Sequence, residues 1–244
     1  MSDEADRGRA RLPWWPEVRD RAPVREPLTR DQIVAATIGI LDTEGLEAFS
    51  MRRLAQQLGA GVTSLYWHVR NRDQLLDLAL DEVLGEVPLD DDPSRPWQER
   101  AARFVRLFRS VLMRHRGVAQ LAGARLTLGP NAIAGSDALV GVLRSAGFEG
   151  PRLGLAFGAL LNFASGSAVM DSRAVSGSDT EGLSYEELRA KSIEMLRAVP
   201  AEEYPNLAST VEDIAAPSPD EQFEYALQAL LSGLAVDLGR ARPA

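Results

Sequence analysis

The fold of this chain is decided by residues 50–72, SMRRLAQQLGAGVTSLYWHVRNR. Ser50 can cap a helix, and apolar residues then recur at positions i, i+3, i+4 and i+7 of one helical face. They are Met51, Leu54, Ala55 and Leu58. The stretch Gly59-Ala60-Gly61 predicts a tight turn, because glycine takes the positive φ angles that other residues avoid. A short helix over residues 62–69 follows, so the sequence predicts two helices joined by a turn.

Helices are also predicted on both sides of this pair. Thr29 and Gln32 can form a capping box at the start of a helix that ends at Gly45. Asn71 can cap a further helix, which a leucine-rich pattern extends to about Val87. Residues 28–87 therefore indicate a helix-turn-helix with a supporting helix on either side.

The short helix is predicted to expose a polar, aromatic and basic face. If Leu65 and Val69 face the core, the residues at positions i, i+3, i+4 and i+7 from Thr63 share the outer face; they are Thr63, Tyr66, Trp67 and Arg70. An α-helix fits the major groove of B-DNA, where short side chains reach base edges and hydroxyl, indole or imidazole groups reach phosphates. We predict DNA contacts from Arg52, Val62, Thr63, Ser64, Tyr66, Trp67, His68 and Arg72. The alternative is a three-helix core with an exposed Tyr–Trp pair and no DNA function.

The charge distribution favours the same end of the chain. The formal net charge is −8, but it is unevenly spread. Residues 1–72 carry 11 arginines and 10 acidic residues, whereas residues 73–244 carry 16 basic and 25 acidic residues. Nucleic acid is therefore expected to meet the N-terminal third.

The composition excludes several classes of function. The sequence has no cysteine and two histidines, His68 and His115, which excludes disulfides, thiolate metal sites and His-rich metal centres. It contains no Gly-x-Ser-x-Gly motif and no phosphate-binding glycine loop. We therefore expect no catalytic residue, no metal and no cofactor. The competing hypothesis is a hydrolase that uses one of the two histidines.

Residues 88–244 are predicted to form a larger helical body. A helix is expected from Trp97 to His115, and an irregular stretch over 117–131 leads to a helix that ends near Gly147. Residues 171–182, rich in Ser, Gly and Asp, are expected to form a loop. Ser218 begins the last helix with a capping box.

Two apolar segments of this body are expected to pack against other helices. Leu153 to Met170 is 18 residues long without a charge, the lower limit for a membrane span. Its Gly, Ser and Asn residues favour a buried interface helix over a span. In the last helix, apolar residues recur at the 4-3-4 spacing of a helix–helix seam. They are Phe223, Leu227, Leu230 and Leu234.

Residues 1–27 are expected to form a flexible arm, because arginine and proline recur there without periodicity. Arg7, Arg9 and Arg11 form an Arg-Gly-Arg-like segment of the kind that enters narrow A·T minor grooves. A tail without DNA contacts is the open alternative. No apolar leader occurs within the arm, so we expect a cytoplasmic protein that does not bind membranes.

Residues 28–87, with Leu65-Tyr66-Trp67-His68-Val69-Arg70-Asn71-Arg72 at their centre, resemble the DNA-binding domain of TetR-family transcriptional regulators. The later helices resemble the regulatory domain of the tetracycline-repressor branch. This resemblance implies an all-α homodimer, a C-terminal ligand pocket and a four-helix dimer interface from the helices near 151–172 and 218–238. It also implies DNA contacts at the eight positions named above.

The resemblance also bears on the effector. Tetracycline-responsive members bind drug-chelated magnesium through a histidine, and Ala122 stands at the matching position. Phe104 stands where those members have a polar drug contact. An apolar or aromatic effector that contacts Phe104 and Phe108 is therefore expected. Asn162 could bind that effector or a partner helix.

The expected function is a ligand-released repressor that binds a palindromic double-stranded DNA operator as a homodimer. An activator, or a regulator without a small ligand, remains the alternative within the same fold.

Overall fold

The structure is a computed structural model in which residues 28–89, 92–123, 125, 128–173 and 185–240 are described. These residues form twelve α-helices and no β-strand. The first four helices are α1 (Arg30–Ala48), α2 (Met51–Gln57), α3 (Val62–Tyr66) and α4 (Arg72–Leu84). The next four are α5 (Trp97–Arg114), α6 (Arg116–Ala122), α7 (Pro130–Ala146) and α8 (Gly150–Arg173). The last four are α9 (Tyr185–Arg197), α10 (Pro205–Ala208), α11 (Val211–Ala215) and α12 (Pro219–Arg240).

Local capping bonds begin the N-terminal helices where the sequence predicts them. Thr29 Oγ1 accepts a hydrogen bond from Gln32 N at 3.2 Å, and Gln32 Oε1 accepts one from Thr29 N at 3.0 Å. The side chains of Ser50 and Asn71 accept backbone N–H groups in the same way, at 3.1 and 2.7 Å. Gly45, with a φ of 83°, interrupts α1 at its predicted end, and one further turn follows it.

The helix predicted over residues 62–69 is shorter in the structure. Its regular turns end at Tyr66, although Val69 N still donates to Leu65 O at 3.1 Å. The chain leaves the helical path because Asn71 takes an extended conformation, with a φ of −161°, to begin α4. Leu65 and Val69 are both buried, so the predicted inward face is confirmed.

The helical body is built around α8, which packs against α5, α6, α7 and α12. Its buried residues recur every four positions and are Ala156, Leu160, Ala164, Ala168 and Ser172. By length and composition α8 could cross a membrane. In this fold one of its faces instead lies in the core, because small side chains let neighbouring helices approach it closely.

Three short helices were not predicted from the sequence: α6, α10 and α11. α6 lies within the stretch 117–131 that was expected to be irregular. It is only seven residues long and has Gly117 in its first turn, whereas Val118, Ala119 and Leu121 are buried. Because so short a helix is marginal by itself, tertiary packing stabilises it.

The predicted loop at 171–182 begins later than expected, because α8 continues to Arg173. Arg109 on α5 holds Asp171 in the helix, with Nη2 2.7 Å from Asp171 Oδ2. The rest of this predicted loop lies outside the described residues, as do residues 1–27, to which the arm was assigned.

The predicted seam of α12 faces its own body and not outward. Phe223 and Leu227 are buried, and the Phe223 ring stacks on Phe163 of α8 with centroids 5.2 Å apart. Leu231 completes the buried set, whereas Leu230 and Leu234 are only partly buried. The predicted helix–helix seam therefore forms within the chain, where these residues pack against the core around α5 and α8.

The N-terminal helices meet the body where α6 begins. A Cβ atom added to Gly117 would lie 1.8 Å from Leu41 O on α1, so only glycine permits this approach of the two backbones. Beside it, His115 Nδ1 lies 2.6 Å from Asp42 Oδ2, and His115 Nε2 lies 3.0 Å from Glu86 Oε1. Glu86 follows the end of α4, so one histidine joins α1, α4 and the body.

Candidate nucleic-acid interface and ligand pocket

The exposed face of α3 is aromatic and polar. Trp67 is 84% exposed and Tyr66 is 50% exposed, whereas Leu65, on the opposite side of α3, is fully buried. Thr63 and Ser64 are exposed beside them. Two large aromatic side chains in water are costly unless a partner covers them, and their hydroxyl and indole groups can bind phosphate. This is the chemistry that a DNA-reading helix requires.

The remaining predicted DNA residues differ in how they are presented. Arg52 is exposed on α2, and Val62 and His68 are half-buried. The neighbouring Arg53 is engaged instead with Glu44 of α1, whose pKa it lowers by hydrogen bonding. Arg52 is therefore available to an external partner, whereas Arg53 is not.

Arg72 is directed toward its own domain. Its Nη2 atom donates to Leu46 O at 3.4 Å, and its guanidinium lies over the Phe49 ring, 5.4 Å from the centroid. The side chain therefore fixes the end of α1 against the start of α4 in this structure.

A cavity of about 560 Å³ lies between α4, α5, α7 and α8. Its wall is mostly apolar and contains three phenylalanines. Phe104 and Phe108 of α5 lie with centroids 6.3 Å apart, and Phe157 of α8 completes the aromatic part. A mainly apolar cavity of this size with a few polar groups is typical of small-molecule sites.

All three predicted ligand residues line this cavity. Phe104 and Phe108 belong to its wall, and Asn162 lies on α8 where the cavity opens to the exposed face of that helix. Ala122 also lines it, at the position that holds a histidine in tetracycline-responsive regulators. Among the residues that the structure describes, no group of His, Asp and Glu is arranged to hold a metal ion.

Two polar contacts between α4 and residues that line the cavity were missed by sequence reasoning. Arg125 lines the wall, and its guanidinium binds Asp77 of α4 at 2.6 Å and the carboxylate of Asp73. Asp81, buried on α4, accepts from Ala132 N at 2.9 Å, at the start of α7. The three aspartates lie four residues apart on one face of α4, and that spacing is the signal that could have identified them.

α4 therefore belongs to both sites. It begins directly after the segment that carries α3, and its residues Leu80 and Leu84 form part of the cavity wall. A molecule in the cavity that moves α4 would reposition the exposed face of α3.

The fold and these two sites define a helix-turn-helix regulator with a ligand cavity. Residues 33–79 match the family described as bacterial regulatory proteins, tetR family, and residues 88–238 match the tetracyclin repressor-like C-terminal domain. The chain belongs to the TetR family and is a DNA-binding transcriptional regulator. The resemblance inferred from residues 28–87 and the predicted all-α fold with its two parts are both confirmed.

Similar proteins cover nearly the whole chain. An HTH-type transcriptional regulator of Saccharopolyspora erythraea is 35% identical over 229 residues, which are 92% of each chain. The HTH-type transcriptional repressor DrrR1 of Streptomyces coeruleorubidus is 34% identical over 91% of this chain and 84% of that protein. The structure of ActR from Streptomyces coelicolor in complex with actinorhodin is 37% identical, with a TM-score of 0.75 over 88% of this chain and 100% of that chain.

Proposed function

We propose that this regulator is a ligand-released repressor that binds a palindromic operator as a homodimer. The observation that carries the proposal is that α4 both follows the exposed α3 and walls the cavity. A ligand that prefers one position of α4 necessarily shifts DNA affinity, since coupling between two sites is reciprocal. The relative DrrR1, a repressor of similar length, supports repression over activation.

We assign residues 28–87 to DNA binding and residues 88–244 to regulation and dimerisation. Thr63 and Ser64 would reach base edges and Val62 a thymine methyl, while Tyr66, Trp67 and His68 would bind phosphates. Arg52 and Arg72 would flank the groove, the latter after release from Leu46. The arm residues Arg7, Arg9 and Arg11 would add minor-groove contacts. The protein would act in the cytoplasm, where a bacterial operator is accessible.

The effector is an apolar or aromatic small molecule. Phe104, Phe108 and Phe157 offer ring faces, and a tetracycline–magnesium complex would find Ala122 in place of a ligating histidine. Structures of ActR in complex with actinorhodin and with (S)-DNPA support a small-molecule effector. Asn162, at the cavity mouth, would bind the effector's polar edge.

Dimerisation uses the faces of α8 and α12 that the single chain leaves uncovered. On α8, Leu155 and Met170 are 73% and 74% exposed, and a Cβ added to Gly158 or Gly166 would meet nothing within 4 Å. On α12, exposed residues recur at 4-3-4 spacing and are Tyr225, Ala229, Ser232 and Val236. Two such helices from each chain would form a four-helix interface.

Selection of bound duplexes from a randomised DNA pool tests the proposal. At about 0.15 M salt non-specific phosphate binding is suppressed. A homodimer should enrich a palindrome whose half-sites lie about one helical turn apart. Enrichment of a single half-site would contradict dimeric binding, and a folded protein that enriches no sequence would contradict the assignment of α3 as the reading helix.

A further inference from the structure

Arg125 is the one charged side chain among the described residues that line the cavity. It lies between α6 and α7, and 23% of its side chain is exposed. The other polar groups of the wall are neutral amides and hydroxyls. A partly buried guanidinium on the wall of an aromatic cavity attracts an anion, because less water competes there than at an exposed site.

Among the described residues, the partners of the Arg125 guanidinium belong to α4. Nη1 donates to Asp77 Oδ1 at 2.6 Å and to Asp73 O at 3.2 Å, and Nη2 donates to the Asp73 carboxylate. The hydrogen bond to Asp77 raises the pKa of Arg125. Arg125 thus ties the cavity wall to the N-terminal half of α4, the half that adjoins the DNA-reading segment.

A different contact holds the C-terminal half of α4. Asp81 accepts from the backbone N–H groups of Ala132 and Asn131, at 2.9 and 3.4 Å, and Asn131 Nδ2 donates to Asp81 O at 3.0 Å. Loss of the Arg125 contacts would therefore remove one polar link between the body and the N-terminal half of α4, while Asp81 keeps the other half attached to α7.

We propose that the effector carries an anionic group, a carboxylate or a phenolate, that binds Arg125 in competition with Asp73 and Asp77. This inference rests on the proposed ligand-released function and names the chemistry of its ligand. A bound carboxylate presents the same two oxygens as the aspartates, so the guanidinium can exchange one partner for the other. The aromatic part of the effector packs against the phenylalanines. Its anionic group replaces Asp73 and Asp77 as the partner of Arg125 and so releases α4.

A charged group gives the ligand a differential affinity for the released state. A ligand shifts a two-state equilibrium only by its differential affinity for the two states. A neutral aromatic molecule leaves Arg125 bound to Asp73 and Asp77, so it gains nothing from this exchange. An anion binds preferentially to the state in which Arg125 has left Asp73 and Asp77.

The test compares anthraquinone-2-carboxylic acid with its carboxamide, two molecules of nearly equal shape of which only the first is ionised. Calorimetry measures their affinities, and fluorescence anisotropy measures release of the selected duplex. Wild-type protein should bind the acid about tenfold or more tightly than the amide, as one charge-assisted contact implies. Only the acid should release the duplex.

Variants assign this preference to Arg125. Arg125→Gln should bind both molecules with equal affinity. The control is Arg197→Gln, which breaks a similar pair between Arg197 of α9 and Glu212 of α11 and should keep the wild-type preference. Asp77→Asn should bind the acid more tightly and the amide unchanged, because it removes the competitor. This increase cannot arise from damage to the fold.

The outcomes separate this inference from the proposed function. Equal affinity of wild-type protein for acid and amide, or an acid preference that survives in Arg125→Gln, would overturn the role of Arg125 and leave the cavity as the effector site. Binding of neither molecule would overturn the proposed aromatic effector site itself.

Discussion

Gly117 shows how a single residue decides whether the two parts of the chain can meet. Its Cα faces the backbone of α1, where an added Cβ would lie 1.8 Å from Leu41 O and 2.3 Å from Leu41 C. A backbone cannot yield as a flexible side chain does, so any larger residue separates α6 from α1.

We expect Gly117→Ala to lower the free energy of unfolding by about 1–3 kcal/mol, the usual cost of overpacking. Gly141 in α7 is the control, because a Cβ there meets nothing within 4 Å and Gly141→Ala should stabilise the helix by roughly 0.5–1 kcal/mol. Urea denaturation followed by circular dichroism measures both. Equal effects of the two substitutions would show that α6 and α1 do not approach this closely.

The exposed face of α3 permits a matched comparison of two tyrosines. Tyr66 is 50% exposed on α3, and Tyr204 is 53% exposed before α10. Tyr66→Ala should weaken binding to the selected duplex at least about tenfold, through loss of a phosphate contact and its packing. Tyr204→Ala should leave affinity unchanged, and circular dichroism should show both variants folded. Undiminished affinity in Tyr66→Ala would remove Tyr66 from the reading face.

At the scale of elements, the junction of α1, α4 and the body depends on charge. His115 contacts carboxylates through both ring nitrogens, and only the imidazolium form donates from both. Glu86 also accepts from Arg114 at 2.8 Å. These contacts, Arg114 first and then His115, hold the pKa of Glu86 below its ordinary value.

The lowered pKa of Glu86 predicts a pH-dependent contribution to stability. The contribution is fully present above the ordinary glutamate pKa of about 4.3 and is lost as pH falls through the lower folded-state value. Glu86→Gln should cost about 0.5 kcal/mol at neutral pH, since the side chain is 43% exposed and partly screened. The cost should vanish toward pH 3.

Urea denaturation between pH 7 and pH 3 measures this dependence. Glu82→Gln removes an exposed carboxylate from α4, one turn earlier in the chain, and serves as the control. If Glu86→Gln lowers the free energy of unfolding by the same amount at pH 3 as at pH 7, packing and not charge stabilises the junction.

At the scale of the whole molecule, the uncovered faces of α8 and α12 predict assembly. Leu155→Arg should convert a dimer to a monomer, because it places a charge in an apolar interface. Met195→Arg on α9 is matched in exposure, 68% against 73%, and should remain dimeric. Sedimentation velocity distinguishes the two states. A dimeric Leu155→Arg would place the interface elsewhere.

Local signals predicted the helix starts correctly because each involves groups three or four residues apart. The pairs Thr29–Gln32 and Ser218–Glu221 form as capping boxes, and Gly147 ends α7 with a φ of 105°. The inward pair Leu65 and Val69 follows from helical periodicity alone. The exposed face of α3, which we propose reads DNA, could be recognised for the same reason, since its pattern is contained in one short segment.

By itself the sequence determined the all-α class, the helix-turn-helix and the family, because these depend on short-range periodicity and capping. Only the tertiary structure decided that α6 is helical, that Leu231 and not Leu230 completes the core, and that Arg125 of the cavity binds α4. Arg125 and Asp77 are 48 residues apart in the chain, and their pairing depends on how the helices pack. No local propensity encodes such a contact, so the link between ligand and DNA becomes visible only in the folded molecule.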